Sequence, residues 1–292
     1  MLNYSHGKCS FVGYCLRNRR GGFFDKLVYF NIENCMNKFP SLAALLLMLS
    51  YGATAHAEQN YCESPWFANG KQLQVTVPTQ GVDLTLTFAN VQKTNAMQCS
   101  AQLQVQGQAP VSQLGLVVSA QGNLQLNVQE NQSSLSGIIN SPGPGGMWLQ
   151  NKLNIQLNGY FLKPANRVLA GNTTLERRIR ADSKGDLFLA QGMPKVGSAS
   201  VDDLQVHVKP GQVGSLQTTP TSHGALQCQP VSYQAQVTAG SMRNSIDKRT
   251  KQLANPKWVD LTDWYCPEAG LSLKTVVNEG KQNYTVDIKV LN

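Results

Sequence analysis

Four cysteines could carry chemistry in this chain: Cys62, Cys99, Cys228 and Cys266. They are an even set downstream of an export-type leader. No Cys-x-x-Cys spacing occurs, and His207 and His223 are the only histidines beyond the leader. In an oxidising compartment such a set reads as two disulfides, with metal binding or a catalytic thiol as the rivals. Three pairings are open. The local one joins Cys62 to Cys99 and Cys228 to Cys266, and it is the one expected, because it closes two loops of similar length. Each such loop would remove about 3–4 kcal/mol of unfolded-chain freedom, in a model-dependent way.

The titratable residues give less. His207 lies between Val206 and Val208, on the polar phase of an alternating run, and is expected to face solvent. His223 lies in a Thr/Ser/Gly loop. Asp202 and Asp203 are adjacent, so in a regular strand they point to opposite faces and make a poor carboxylate pair. Asp263 and Glu268 flank Cys266 and read as solvated or loop-capping groups. No Gly-x-Ser-x-Gly elbow, phosphate loop or His-Glu-x-x-His motif is present, so the expectation is a protein that is not an enzyme and needs no cofactor. Glu176-Arg177-Arg178-Ile179-Arg180 is the densest basic patch. It reads first as a solvated strand or loop face, second as a seat for an acidic headgroup or polyanion. Trp148, Trp258, Trp264 and Tyr265 are the candidate ligand contacts. Trp148 follows a Pro/Gly loop and Trp258 follows Pro256, which makes these two the more exposed.

The elements that must position these residues are strands. Leu73, Val75 and Val77 alternate with Gln74 and Thr76. Cys99, Ala101, Leu103 and Val105 alternate with Gln102, Gln104 and Gln106, which puts Cys99 on the apolar phase. The same rhythm recurs around Leu84, Leu126, Ile155 and Val206. One face is aliphatic and the other is Gln, Asn and Thr, the pattern of antiparallel sheet with one solvated side. No amphipathic helix is legible. The expected fold is all-β: a curved antiparallel sheet, β-roll or partly open barrel. Ser141-Pro142-Gly143-Pro144-Gly145-Gly146 is the strongest break, a domain boundary or a long loop. Polar zones at 163–184, 210–224 and 241–257 read as solvated connectors. At Pro230 the apolar phase changes, so a bulge or an edge position is expected there.

The segment 224–291 sets Gly224-x-Leu226-x-Cys228 and Val231-x-Tyr233 before a polar loop. Asp263-Trp264-Tyr265-Cys266-Pro267-Glu268 and Gly270-Leu271-x-x-Lys274 follow, then a hairpin to Val290. This order resembles the C-terminal part of the TapB-like family of exported bacterial domains of unknown function. The resemblance covers about residues 200–292. It implies a strongly curved antiparallel sheet of the lipoprotein-localisation type, and it brings no catalytic residues with it.

The N-terminal region addresses the chain. Met36-Asn37-Lys38, the apolar run Leu42–Leu49 and Ala55-His56-Ala57 are the three parts of a secretory signal peptide. The run is shorter than the ~20 residues a membrane span needs. The expected organisation is an upstream extension at 1–35, a signal peptide at 36–57, and an exported domain at 58–292 that is periplasmic or secreted and has no transmembrane segment. The position after Ala57 is Glu58 rather than Cys, against a lipid anchor there. The net charge is +8, with 25 Lys/Arg against 17 Asp/Glu, and about half of it lies in residues 1–57. The remainder is too weakly and too evenly basic for a nucleic-acid footprint. The functional expectation is an exported binding or envelope-maintenance protein holding an apolar or lipid-like ligand in the concave sheet. The alternative is a protein- or carbohydrate-binding module.

Overall fold

The computed structural model describes residues 61–292 apart from 112–115, 130–131, 143–145, 159–173, 175, 246–247, 281 and 292. The expected extension at 1–35, the signal peptide at 36–57 and the start at Glu58 lie outside the described residues. Fifteen strands follow in order. The first eight are β1 (Gln72–Val77), β2 (Val82–Asn95), β3 (Gln98–Val111), β4 (Leu116–Gln129), β5 (Gln132–Pro142), β6 (Trp148–Asn158), β7 (Arg177–Phe188) and β8 (Lys195–Val208). The short β9 (Gln212–Val213) and β10 (Gln217–Thr221) lead to β11 (Gly224–Asn244). Then come β12 (Thr250–Gln252), β13 (Val259–Cys266), β14 (Leu271–Glu279) and β15 (Gln282–Leu291). Among the described residues there is no α-helix.

Each strand pairs antiparallel with its neighbour from β1 to β8, β15 returns to β1, and β11 joins β13 on one side and β8 on the other. The sheet therefore closes into a barrel of twelve strands, with β9, β10 and β12 added along β11. The all-β expectation holds, and closure goes one step further than a partly open sheet. Closing removes the unpaired edges that an open sheet would expose.

Eight strands already give an interior just filled by side chains, so twelve on a round section would leave a lumen. The inner side chains of this barrel are instead buried: Phe88 1%, Ala101 0%, Ile155 1%, Val231 0% and Leu273 1% exposed. Opposite walls must therefore press together. The sequence provides for that bend. Gly107, Gly122 and Gly137 lie on the inward phase of β3, β4 and β5. A Cβ on them would stand 2.0 Å from Asp83 O, 2.2 Å from Ile138 O and 2.2 Å from Asn123 O. Only hydrogen fits where neighbouring backbones approach so closely. A second corner is made by bulges on β8, where it pairs with β7 and with β11.

One of those bulges corrects an expectation. Asp203 adopts φ 49° and the β7–β8 register shifts between Ala181 and Ser183. Val201 and Leu204 are both buried, so Asp202 and Asp203 both turn outward rather than to opposite faces. The bulge has reset the alternation. The phase change at Pro230 resolves differently. The β11–β13 register runs unbroken through Pro230↔Trp264, and the slip falls between Trp264 and Tyr265 in the β13–β14 pairing. Pro230 itself sits between the stretches of β11 held by β9 and by β10, and its carbonyl accepts the Gly214 N–H at 2.8 Å. That is the edge-like position a residue without an N–H can occupy.

The polar zones contain more strand than their composition promises. Arg177–Phe188 is β7, Ser241–Asn244 completes β11, and Thr250–Gln252 pairs back on it. The Pro/Gly break connects β5 to β6, which pair as neighbours out to Pro142↔Trp148. The strands on its two sides belong to one continuous sheet.

Both disulfides form in the expected local pairing, Cys62–Cys99 and Cys228–Cys266. The first ties a 3-10 turn at Tyr61–Glu63 to the start of β3. The second joins directly opposed residues of β11 and β13, with Cα atoms 4.0 Å apart. Between them the lead-in segment folds into the barrel. Trp66 and Phe67 are 2% and 0% exposed. Their rings meet each other and Phe88 in edge-to-face or tilted contacts at 5.5–5.9 Å. The Trp66 indole N–H donates to Gly270 O at 3.3 Å, which anchors the lead-in to the β13–β14 turn.

Candidate functional site

The concavity of interest lies on the outer face of the barrel. The strands that build it are β4 to β8, with one residue from β11. Because side chains alternate, the positions that do not feed the core all point outward together. Asn127 and Gln129 come from the end of β4, Gln132 and Ser134 from the start of β5, and Gln156 and Asn158 from the end of β6. Arg178 and Arg180 come from the start of β7, Gln205 and His207 from the end of β8, and Thr238 from β11. They surround a cavity of about 740 Å³ that opens to solvent. Leu157, Ile179 and Val206 lie beneath, with their side chains in the core.

The charges in this trough are largely matched. Arg180 Nε is 2.7 Å from Asp203 Oδ1, and Gln205 donates to Asp203 Oδ2 at 3.0 Å. Glu176 Oε1 is 3.4 Å from Arg178 and 3.1 Å from His207 Nε2. Asn158 Oδ1 accepts the Arg178 backbone N–H. These pairs are exposed and contribute little to stability. Their effect is on orientation: each guanidinium is held on one side by a carboxylate and keeps further N–H groups directed at solvent. Such a lining of amides, hydroxyls and acid-paired arginines offers donors and acceptors with little net charge. It suits hydroxyl-rich ligands better than strong anions.

At one end of the trough His207 meets Trp258, with ring centroids 5.5 Å apart and planes at 66°. Lys209 Nζ stands 3.8 Å over the Trp258 ring and donates to Gln234 Oε1 at 3.0 Å. One face of Trp258 is therefore occupied by a cation. His207, expected in solvent, is about one-third exposed and engaged on two sides. His223 accepts the Val290 N–H at 2.9 Å and so ties the β10–β11 turn to β15.

The four aromatic candidates are not brought together. Tyr265 is fully buried in the core, and Trp264 packs partly buried against it. Trp148 sits half-buried at the far end of β6 beside Phe188 of β7. Only Trp258 borders the trough. In the basic patch, Arg178 and Arg180 face outward while Arg177 is 2% exposed and lies 5.3 Å over the Tyr233 ring. Asp263 is likewise internal, accepting from Thr275 Oγ1 at 2.7 Å, rather than a solvated or loop-capping group.

Shifted titrations fall elsewhere. Burial raises the Glu279 and Asp287 carboxyls, the latter against the opposing pull of Lys274. Burial and then Glu279 push the Tyr284 phenol well above its ordinary range. These three sit on β14 and β15 and line no part of the trough. Among the described residues no cluster of three His, Cys, Asp or Glu has metal-holding geometry.

Sequence reasoning missed the trough as a site. Only its arginines, Arg178 and Arg180, stood out as a basic patch; the rest are polar residues at corresponding ends of consecutive strands, and that correspondence needs the hairpin registers.

No protein-family model matches the chain, and no curated protein matches it in sequence. Two solved structures are similar to it. One is a candidate exported protein with a YmcC-like fold from Bacteroides fragilis, 14% identical, covering 76% of this chain and 96% of that one, with TM-score 0.36. The other is a candidate lipoprotein from Parabacteroides distasonis, 13% identical, covering 81% of this chain and 100% of that one, with TM-score 0.38. Likenesses this distant bring no residue role to the present chain.

Proposed function

We propose that this is an exported, non-enzymatic binding protein that holds a hydroxyl-rich chain, a neutral or weakly charged glycan, in the outer trough. The observation that carries the reading is the contrast between the two faces of the wall β4–β8. The aliphatic face is packed as core, while the open concavity of about 740 Å³ is lined with amides, hydroxyls and acid-paired arginines. Export is supported by the two disulfides, which persist in oxidising compartments, and by the leader pattern in residues 36–57. The TapB-like resemblance of the C-terminal segment fits the same address.

The competing reading places an apolar or lipid-like ligand inside the barrel. It requires an opening in an interior whose described aliphatic side chains touch one another. The geometry favours the glycan.

Binding of the purified protein to an array of neutral and acidic glycans tests the proposal, followed by titration of the strongest hit against Arg180→Ala and Gln156→Ala. A hit weakened about tenfold by each variant, corresponding to about 1.4 kcal/mol, supports the trough. Retention of fatty-acid probes with no glycan bound would instead establish the interior reading.

A further inference from the structure

The end of the barrel opposite the trough is built differently from the rest of the surface. The β7–β8 hairpin turns through Leu189-Ala190-Gln191-Gly192-Met193-Pro194, closed by the Met193 N–H to Ala190 O bond at 3.1 Å. Leu189, Met193 and Val196 are 59%, 53% and 48% exposed, more than any other large apolar side chain described. Single exposed aliphatics are ordinary. Three within eight residues, on one projecting turn, are not.

Two other connections are as poor in charge. In a strict antiparallel meander every second turn falls at the same end. The closing pairs Val111↔Leu116, Pro142↔Trp148 and Phe188↔Lys195 therefore lie at one end. The sequence contains no Asp, Glu, Lys or Arg at 109–118 or 141–150, and at 187–197 only Lys195, which lies 3.2 Å from Asp186. At the other end of these strands the described residues include the charged Lys93, Glu176 and Lys209. The β7–β8 tip itself is thus aliphatic and nearly uncharged, while beside it the Ser245 N–H donates to Ser198 O at 2.8 Å and brings the exposed Arg243, Lys248 and Arg249 alongside. Trp148 and Phe188 sit half-buried at the base of the tip, the level at which aromatic rings favour a membrane–water interface.

We infer that this tip docks on a lipid bilayer, inserting Leu189, Met193 and Val196 among the acyl chains with Trp148 at the headgroup level. A protein partner would need a complementary face of about 800 Å². A convex turn presenting three aliphatic side chains offers far less, and a second copy of the chain meets the same limit. A bilayer requires no complementary pocket, only apolar area free of charge to desolvate. Docked this way, the molecule holds the trough at the far end of the same strands, away from the membrane. The inference stands independently of what the trough binds.

Flotation of the full chain with phosphatidylcholine vesicles, with and without phosphatidylglycerol, tests it against the triple variant L189S/M193S/V196S. All three positions are exposed, so the unfolding midpoint of the variant should match that of the parent and show it folded. The parent floats with both vesicle types, and the variant loses at least tenfold in partitioning. Brominated lipid quenches tryptophan emission of the parent, and W148F removes that quenching. The inference is overturned if the parent stays unbound, or if the variant floats as well as the parent. Binding only to anionic vesicles that salt abolishes and the variant retains would also overturn it. So would a parent dimer that the variant dissociates while neither floats, since that outcome assigns the tip to a second copy.

Discussion

The two sides of the barrel are held by different means. The side made by the lead-in segment, β1, β11 and β13–β15 carries one disulfide within it, and the other ties its lead-in to β3. It also holds buried aromatics in Trp66, Phe67 and Tyr265 and buried polar groups in Asp263 and Thr275. The wall β3–β8 holds its shape with ladders, bulges and three corner glycines that let backbones approach. The stapled side adds buried rings, disulfides and buried polar groups to its alternating strands. The wall, whose curvature comes from the backbone, leaves its outer side chains available for the trough and its distal turns for the tip. A barrel wall can therefore be a binding surface at little cost to stability when backbone geometry sets its curvature.

The largest effect should come from the wall itself. Gly107→Ala or Gly122→Ala places a methyl within about 2 Å of a neighbouring carbonyl oxygen. It should destabilise by about 4–5 kcal/mol, near the upper end for single substitutions. Urea unfolding checks it. A loss below about 1 kcal/mol would mean that the corner is not set by close backbone approach.

Removing one disulfide comes next. Cys228→Ser with Cys266→Ser, or Cys62→Ser with Cys99→Ser, should each cost about 3–4 kcal/mol. Hydrogen exchange sharpens the comparison. Loss of Cys228–Cys266 should raise exchange in β11, β13 and β14 well before β4–β6. Uniform loosening of both sides would show that the two are held alike.

On the outer wall, Arg178→Ala, Arg180→Ala and Gln156→Ala should each change stability by no more than about 0.5 kcal/mol, as exposed positions do, even where they weaken ligand binding about tenfold. A denaturant midpoint that falls by much more would make the trough a structural element.

The smallest effect is a pH dependence confined to the stapled side. The Glu279 carboxyl is raised by burial in the folded protein. The folded state therefore holds this proton more tightly than the unfolded chain. Its contribution is fully present below the ordinary carboxylate value of about 4.3 and is lost as pH rises through the raised value. Glu279→Gln should unfold at the parent's denaturant concentration at low pH and at a higher one near neutrality. Parallel pH profiles for the two proteins would contradict this.

Strand content was legible because alternation is local. Residues 73–77, 99–105 and 204–208 carry a period of two that survives any arrangement of the sheet. The misread stretches have local reasons too. Arg177–Phe188 looks polar because its outer face lines the trough and its inner face includes an arginine laid over Tyr233. Adjacency puts Asp202 and Asp203 on opposite faces of a regular strand, and a bulge leaves no mark in the alternation itself. Aromaticity points to Trp264 and Tyr265 as ligand contacts, yet their neighbours across the sheet, not their type, bury them.

By itself the sequence determined the all-β class and the solvated and core phases of most strands. It favoured the local cysteine pairing, through two loops of similar length and Cys99 on the apolar phase, while three pairings stayed open. All of these follow from interactions within a few residues or from composition. Only the tertiary structure decided that the sheet closes, that the closed interior is packed, and that the usable concavity is polar and external. Closure depends on the pairing of β11 with β8 and of β15 with β1, contacts far apart in the chain. Registers summed over many strands also bring Gln129, Gln156, Arg180 and His207 to one place. No local pattern encodes such a sum.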